Sequence, residues 1–371
     1  MFHNYKLKNL DIKLIIAVIA LTIIGIFIIG SASESNQQKQ IIGMILGIIV
    51  MGVMTIVDYD FILHFHWIYY GMTIVLLVLV LIFGSTSGGA TRWIDLGIRF
   101  QPSELGKILL VLFFAWFLME HEEDINKPKI IFITMLLAGI PLFLIEKEPD
   151  LSTTIVTLMI ICVMMFVVGL SYKLVGIVLG ISIPTIVILI LLVMQDGQTI
   201  LDEYQGKRIL AWLKPDEYPA SSYQQQNSIM AIGSGQLFGK GLYNDSFDSV
   251  KNGNYISEPH TDFIFAVAGE ELGFVGSVII IALLFFITIE ILFIAKKAKD
   301  VSGKLICVGI ATLIGFQSFV NICVVTGLMP NTGLPLPFVS YGLTSLVTIY
   351  FGIGIVLNVG LQSKYNNGRL F

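Results

Sequence analysis

Charge is what this sequence has least of: Asp, Glu, Lys and Arg together make up 13% of its 371 residues, where a soluble domain carries about 25%. No basic stripe runs along it, so nothing marks a nucleic-acid surface. Cysteine is scarce too. Cys162, Cys307 and Cys323 all lie inside apolar runs without metal-ligand spacing, and they read as small buried hydrophobes rather than a disulfide framework. A Walker-type phosphate loop, an internal repeat, a heptad pattern and a low-complexity tract are all missing. The net charge of −4 is small, and in such a chain the placement of charge matters more than its sum.

Apolar residues are abundant instead, at 56%, and they fall into runs of the roughly 20 residues that cross a bilayer as helix. The expected fold is an all-α polytopic integral membrane protein, a single transmembrane domain over 1–371 with about ten spans. They lie near 13–31, 41–57, 65–83, 104–119, 129–146, 152–170, 173–194, 275–295, 303–327 and 340–361. The first run follows Lys6, Lys8 and Lys13 as a signal peptide would, but further spans come after it, so it reads as a retained anchor. Lys127, Lys129, Lys173, Lys296, Lys297, Lys299, Lys304, Lys364 and Arg369 gather on the same side as that basic flank. The positive-inside rule then places both termini in the cytoplasm. Three unusual segments fall outside: Gly84 to Ser103, a long polar loop at about 195–261 between spans seven and eight, and Met329 to Ser340. Pro330, Pro335 and Pro337 forbid regular helix in the last of these, which makes it either a re-entrant lining of a cavity or a plain loop.

The middles of the spans hold essentially no ionisable residue, which speaks against a proton-coupled carrier. Acids and bases collect at the outer ends instead. Gln101, Glu104 and Lys107 stand three apart on one helical face, with Ser103 a plausible cap; they form either a self-neutralising ion pair or a binding site for phosphate and sugar. The apolar stretch from Phe263 to Ala295 would make a helix about 50 Å long against a hydrocarbon core of about 30 Å. Lys296 and Lys297 fix its inner end, so the excess projects outward or folds back. Asp262 then opens on the outer side, as a helix N-cap or as a reacting acid, with His260 as a hydrogen-bonding neighbour. Glu271 would point the opposite way and Glu270 only partly toward it.

The strings TRWIDLGIRFQPSELGK, EPDLSTT, AIGSGQLFGKG, PHTDFIFAVAGEELGFVG and TGLPLPFVSYG, in that order, resemble those of the shape, elongation, division and sporulation (SEDS) proteins over nearly the whole chain. WIDLG and GLPLPFVSYG lean toward the RodA-like elongation branch rather than the FtsW-like one. The resemblance implies a peptidoglycan glycosyltransferase that polymerises lipid II beside a class B penicillin-binding protein. It also implies that Asp262 is the key acid, that Glu104 and Lys107 belong to the site with Arg99 and Gln101 beside them, and that Asp150 joins them. Two positions depart from the family pattern: Glu148 replaces the usual Gln before PDL, and Leu343-Thr344 interrupts the usual SYGGSS.

The outer face has no ATP, so synthesis there needs an activated substrate such as a lipid-linked diphosphate sugar. Displacement at its anomeric carbon requires a base for the attacking hydroxyl, for which Asp262 serves. It also requires positive charge for the leaving diphosphate, from Lys107 or Arg99, with room for a divalent cation, magnesium or manganese. Glu104 would position the acceptor, or hold Lys107 or the metal. Rival readings are a lipid II flippase, a division or sporulation paralogue with the same chemistry, and a non-enzymatic scaffold that recruits wall synthases.

Overall fold

The computed structural model describes residues 5–87, 90–95, 99–194, 203–244, 249, 253 and 255–363; Lys364 and Arg369 of the expected inner charge cluster lie outside them. Among the described residues, nine helices are long and apolar enough to cross a membrane. They are α1 (Ile12–Ala32), α2 (Glu34–Ile56), α4 (His66–Phe83), α5 (Pro102–Glu120), α6 (Pro128–Lys147), α7 (Leu151–Val168), α11 (Ile264–Lys297), α12 (Val301–Val325) and α13 (Leu343–Leu361). The expected seventh span is met by a further apolar helix, α8 (Tyr172–Val193). Short helices complete the set: α3 (Tyr59–Leu63), and in the long loop α9 (Glu203–Leu213) and α10 (Pro219–Ser234). The chain is thus a multi-pass helical membrane protein.

Helix is the natural solution for these runs because lipid offers nothing to bond exposed backbone groups. The ends follow local chemistry. Proline opens α5, α6 and α10, where its missing N–H costs nothing. The carboxylates of Asp11, Asp150 and Asp300 accept first-turn amides of α1, α7 and α12. Burial sorts the helices: α5, α12 and α13 pack at the centre, while α2, α4 and α6 show Ile49, Phe83 and Phe132 outward, as lipid-facing surfaces would.

Two features were not expected from the sequence. Residues 84–103 hold a three-stranded antiparallel sheet, β1 (Ser85–Ser87), β2 (Ala90–Asp95) and β3 (Arg99–Phe100), with Trp93 opposite Ser85 and Asp95 opposite Arg99. It rests on α4 and α5 and carries Arg92. The second feature resolves the excess length of α11. That helix breaks at Gly273 (φ 66°, ψ −162°), and everything from Phe263 to Glu271 before the break is buried. The remaining 24 residues after Gly273 rise about 36 Å, a normal span.

The segment 235–241 repairs this break. The amides of Phe274 and Val275, freed at the kink, donate to the Gln236 and Leu237 carbonyls, while those of Glu270 and Glu271 accept from the Lys240 and Gly241 amides. A β-carbon on Gly239 (φ +78°) would stand 2.1 Å from the Glu271 carbonyl oxygen, so the approach requires glycine. The two glutamates serve the same junction. Lys240 Nζ donates to Glu270 at 2.8 Å, and Ser31 Oγ donates to Glu271.

Candidate active site

Asp262 stands two residues before α11 and does not cap it: the N-cap position belongs to Phe263, and no side chain caps the first turn. Its carboxylate faces the irregular proline-rich segment instead. There, a β-carbon at Gly333 would stand 3.3 Å from Asp262 Oδ2, 3.7 Å from Arg92 Nη1 and 3.8 Å from Arg208 Nη1. One acid and two guanidiniums therefore converge around a glycine that leaves room for them. Burial pushes the Asp262 carboxyl up to about 6, against the pull of Arg208 and Arg92, and Asp150 pushes in the same direction as burial.

Each group arrives from a different part of the chain. Arg92 is held on β2 by its ion pair with Asp150 Oδ2, at 3.6 Å, and by donating to the Pro149 carbonyl. Asp150 caps α7 through Thr153 N at 3.1 Å and accepts from Gln101 Nε2 at 3.4 Å. Arg208 lies on α9, where it donates to the Asn331 carbonyl at 3.3 Å, while Trp212 one turn later donates to the Gly327 carbonyl. Asn321 of α12 fixes the backbone behind the acid, donating to both the Asp262 and Leu334 carbonyls. The proline-rich segment is packed protein, with Leu334, Leu336, Phe338 and Val339 at most 2% exposed.

Around this point many polar atoms lack a hydrogen-bond partner within the protein: Arg92 Nε, Thr153 Oγ1, Gln205 Nε2, Asn331 Oδ1 and Thr332 Oγ1. Buried polar groups are normally paired, so a cluster of unmet donors and acceptors beside paired charges is what a site for a polar ligand looks like. Arg208 and its face were not singled out from sequence. The available signal was the spacing Gln205, Arg208, Trp212, which puts all three on one face of an amphipathic helix.

The other sequence candidates divide. Gln101 and Asp150 join the cluster. His260 stands at its edge, its ring 5.5 Å from that of Tyr341 and its carbonyl accepting the Tyr341 amide; burial lowers its pKa, against the pull of Glu258. Arg99 is at the surface, its side chain 63% exposed and 3.9 Å from Asp95. Glu104 and Lys107 form a separate, buried pair. Lys107 Nζ donates to Glu104 at 2.7 Å and to Gln317 Oε1 at 2.8 Å, Ser345 donates to the second Glu104 oxygen, and Gln317 donates onward to the Pro335 carbonyl. The pair thus braces the segment that carries Gly333. Among the described residues no three His, Cys, Asp or Glu side chains form a cage for a metal ion.

Comparison with known proteins agrees with this architecture. The family model described as cell cycle protein, covering FtsW, RodA and SpoVE, matches residues 10–365. A peptidoglycan glycosyltransferase MrdB of Escherichia coli is 35% identical over 96% of this chain and 95% of its own. A probable peptidoglycan glycosyltransferase FtsW of Geobacter sulfurreducens is 33% identical over 97% of each. Among solved structures, a chain from a peptidoglycan synthase complex that coordinates polymerisation and crosslinking superposes with a TM-score of 0.78 at 30% identity, covering 94% of this chain and 97% of that one. The rod shape determining protein RodA of Thermus thermophilus superposes with a TM-score of 0.67 at 28% identity, covering 94% and 96%. With matches of this extent in sequence and in fold, the chain belongs to the FtsW/RodA/SpoVE family of SEDS proteins.

Proposed function

We propose that this protein is a peptidoglycan glycosyltransferase in which Asp262, Arg92 and Arg208 carry the chemistry of lipid II polymerisation. The observation that supports it best is their convergence on Gly333. Asp262 removes the proton from the attacking sugar hydroxyl as that oxygen bonds to the anomeric carbon. The bond from that carbon to the diphosphate breaks, and the lipid diphosphate leaves as an anion that needs no acid. A base whose pKa lies near 6 is ionised at neutral pH yet retains affinity for a proton. Arg92 and Arg208 offer forked N–H donors that match phosphate oxygens. Gln101 and Asp150 hold Arg92 in place, and the Glu104–Lys107 pair acts at one remove, by bracing the Gly333 segment. A divalent cation would enter on the substrate's own phosphates and supply further charge for the leaving group. With its inner end marked by Lys296 and Lys297, α11 orients this site to the extracytoplasmic side, with both termini in the cytoplasm. A class B penicillin-binding protein is the crosslinking partner this reading implies, in keeping with the solved synthase complex that this chain resembles.

The test is lipid II polymerisation by the purified protein with its partner. Asp262→Asn is expected to lose at least about a hundredfold in rate; glycan made within a few-fold of the wild-type rate would show that Asp262 is not the base.

A further inference from the structure

Glu148 has no task in the scheme above. It lies in the turn between α6 and α7, 0% exposed, and neither of its carboxylate oxygens has a hydrogen-bond partner within the protein. A buried carboxyl without partners is costly as an anion and much less so as a neutral acid. Its surroundings are those of the candidate site. The next two residues are Pro149, whose carbonyl accepts from Arg92, and Asp150, which pairs with that guanidinium. The charged groups that act on Glu148 are thus Asp150 at the start of α7 and Arg92 on β2, while burial is the larger influence and raises its pKa to about 9. On α4, the other helix packed on α6, the titratable groups are His66, Tyr69 and Tyr70, and the Tyr70 hydroxyl stops at the Leu137 carbonyl.

The turn 148–150 thus gives Arg92 a paired carboxylate, Asp150, and a carbonyl, Pro149, with the buried, unpartnered carboxyl of Glu148 next to them in the chain. With Asp150 ionised and Glu148 neutral, the pair Arg92–Asp150 is balanced and the remaining donors of Arg92 face the ligand. With both ionised, the same place carries a net negative charge, buried where charge is little screened, and an incoming diphosphate is repelled. We propose that Glu148 sets the charge of the diphosphate-binding pocket: it works as a neutral carboxylic acid, and its ionisation weakens binding of the anionic donor without altering the base. This rests on the assignment of Arg92 to the diphosphate.

The experiment is the pH dependence of KM and kcat for lipid II polymerisation by the purified protein with its partner, from about pH 7 to about pH 10, around the ionisation of a raised carboxyl. For the wild type, KM is expected to rise about tenfold over the upper part of that range while kcat changes little, as a single added charge near a bound anion would cause. Glu148→Gln keeps the shape and cannot ionise; its KM is expected to stay flat across the same range. Glu148→Met, which can neither ionise nor hydrogen-bond, is expected to show the same flat profile, which separates charge from hydrogen bonding. A wild-type rise in KM that persists in either variant overturns the proposal, as does a wild-type KM that does not rise. The two assignments fail separately. If Arg92→Ala leaves the KM for lipid II unchanged at pH 7, the assignment of Arg92 is wrong; if that variant raises KM while Glu148→Gln keeps the alkaline rise, only the role of Glu148 is.

Discussion

Two groups of charges lie close together in this protein, one buried around Glu104 and Lys107 and one half-buried around Asp262, and they are built in opposite ways. In the Glu104–Lys107 group both carboxylate oxygens are occupied, the ammonium has two partners, and the supporting Gln317 is itself anchored to Pro335. In the Asp262 group the acid is flanked by two arginines, the ion pair to Asp150 is long at 3.6 Å, and the surrounding Gln205, Asn331, Thr153 and Thr332 side chains keep unmet polar atoms. A fully satisfied polar network rigidifies a core, whereas unmet buried polar atoms call for water, an ion or a ligand. The same residue types, an acid and a base, thus stand in two settings, one with its hydrogen bonds closed within the protein and one with them open.

The largest expected effect comes from opening the closed group. Lys107→Met leaves Glu104 as a buried charge without its cation, a change that costs about 3–5 kcal/mol. The double variant Glu104→Met with Lys107→Met is expected to recover most of that loss in a thermal melt. Equal destabilisation in the single and double variants would mean that the pair is not the self-contained unit described. Next in size is Arg208→Ala, which removes one fork of donors from the developing diphosphate charge and is expected to lower turnover about 10²–10³-fold with little change in melting temperature. If it lowers the melting temperature as much as Lys107→Met does, α9 is bracing the fold rather than serving the reaction.

The Asp262 group also responds to pH, and here the expected effect is smaller. The Asp262 carboxyl is held at about 6 by burial, offset by Arg208 and Arg92. Because the base must be ionised, kcat/KM is expected to fall about tenfold per unit below that value. Removing Arg92 or Arg208 takes away a cation that favours the ionised form, so in either variant the acid limb moves to higher pH. An acid limb that stays fixed in both arginine variants would mean that another group titrates there.

Much of this molecule was legible in its sequence, and the boundary is physical. The spans could be read because lipid forces apolar runs into helix, and Asp262 stood out because the apolar run after it is too long for one span and its inner end is fixed by Lys296 and Lys297. The proline-rich segment was recognisable as irregular, but its packing against Asp262 depends on a glycine, Gly333, with no local signature. The excess length of α11 was visible, whereas the break at Gly273 depends on amides and carbonyls from residues 235–241 more than thirty residues earlier. Arg92, Asp150, Arg208 and Asp262 come from four separate regions, and no local pattern says that they meet. The spacing of Glu104 and Lys107 made that pair visible, while Gln317 and Ser345, which bond to it in the fold, are distant in sequence.

The Asp262 group is kept for reaction at some cost to the fold, which stability and synthesis measured together in one variant test. The folded state raises the carboxyl pKa above its unfolded value near 3.8 by burial, so the ionised acid destabilises the protein as pH rises from there through about 6. Asp262→Asn removes that penalty. At neutral pH the purified variant is therefore expected to melt at or above the wild-type temperature, to bind its partner normally, and to make no glycan from lipid II. A variant that melts well below wild type while still polymerising lipid II would show instead that Asp262 holds the fold together and is not the base.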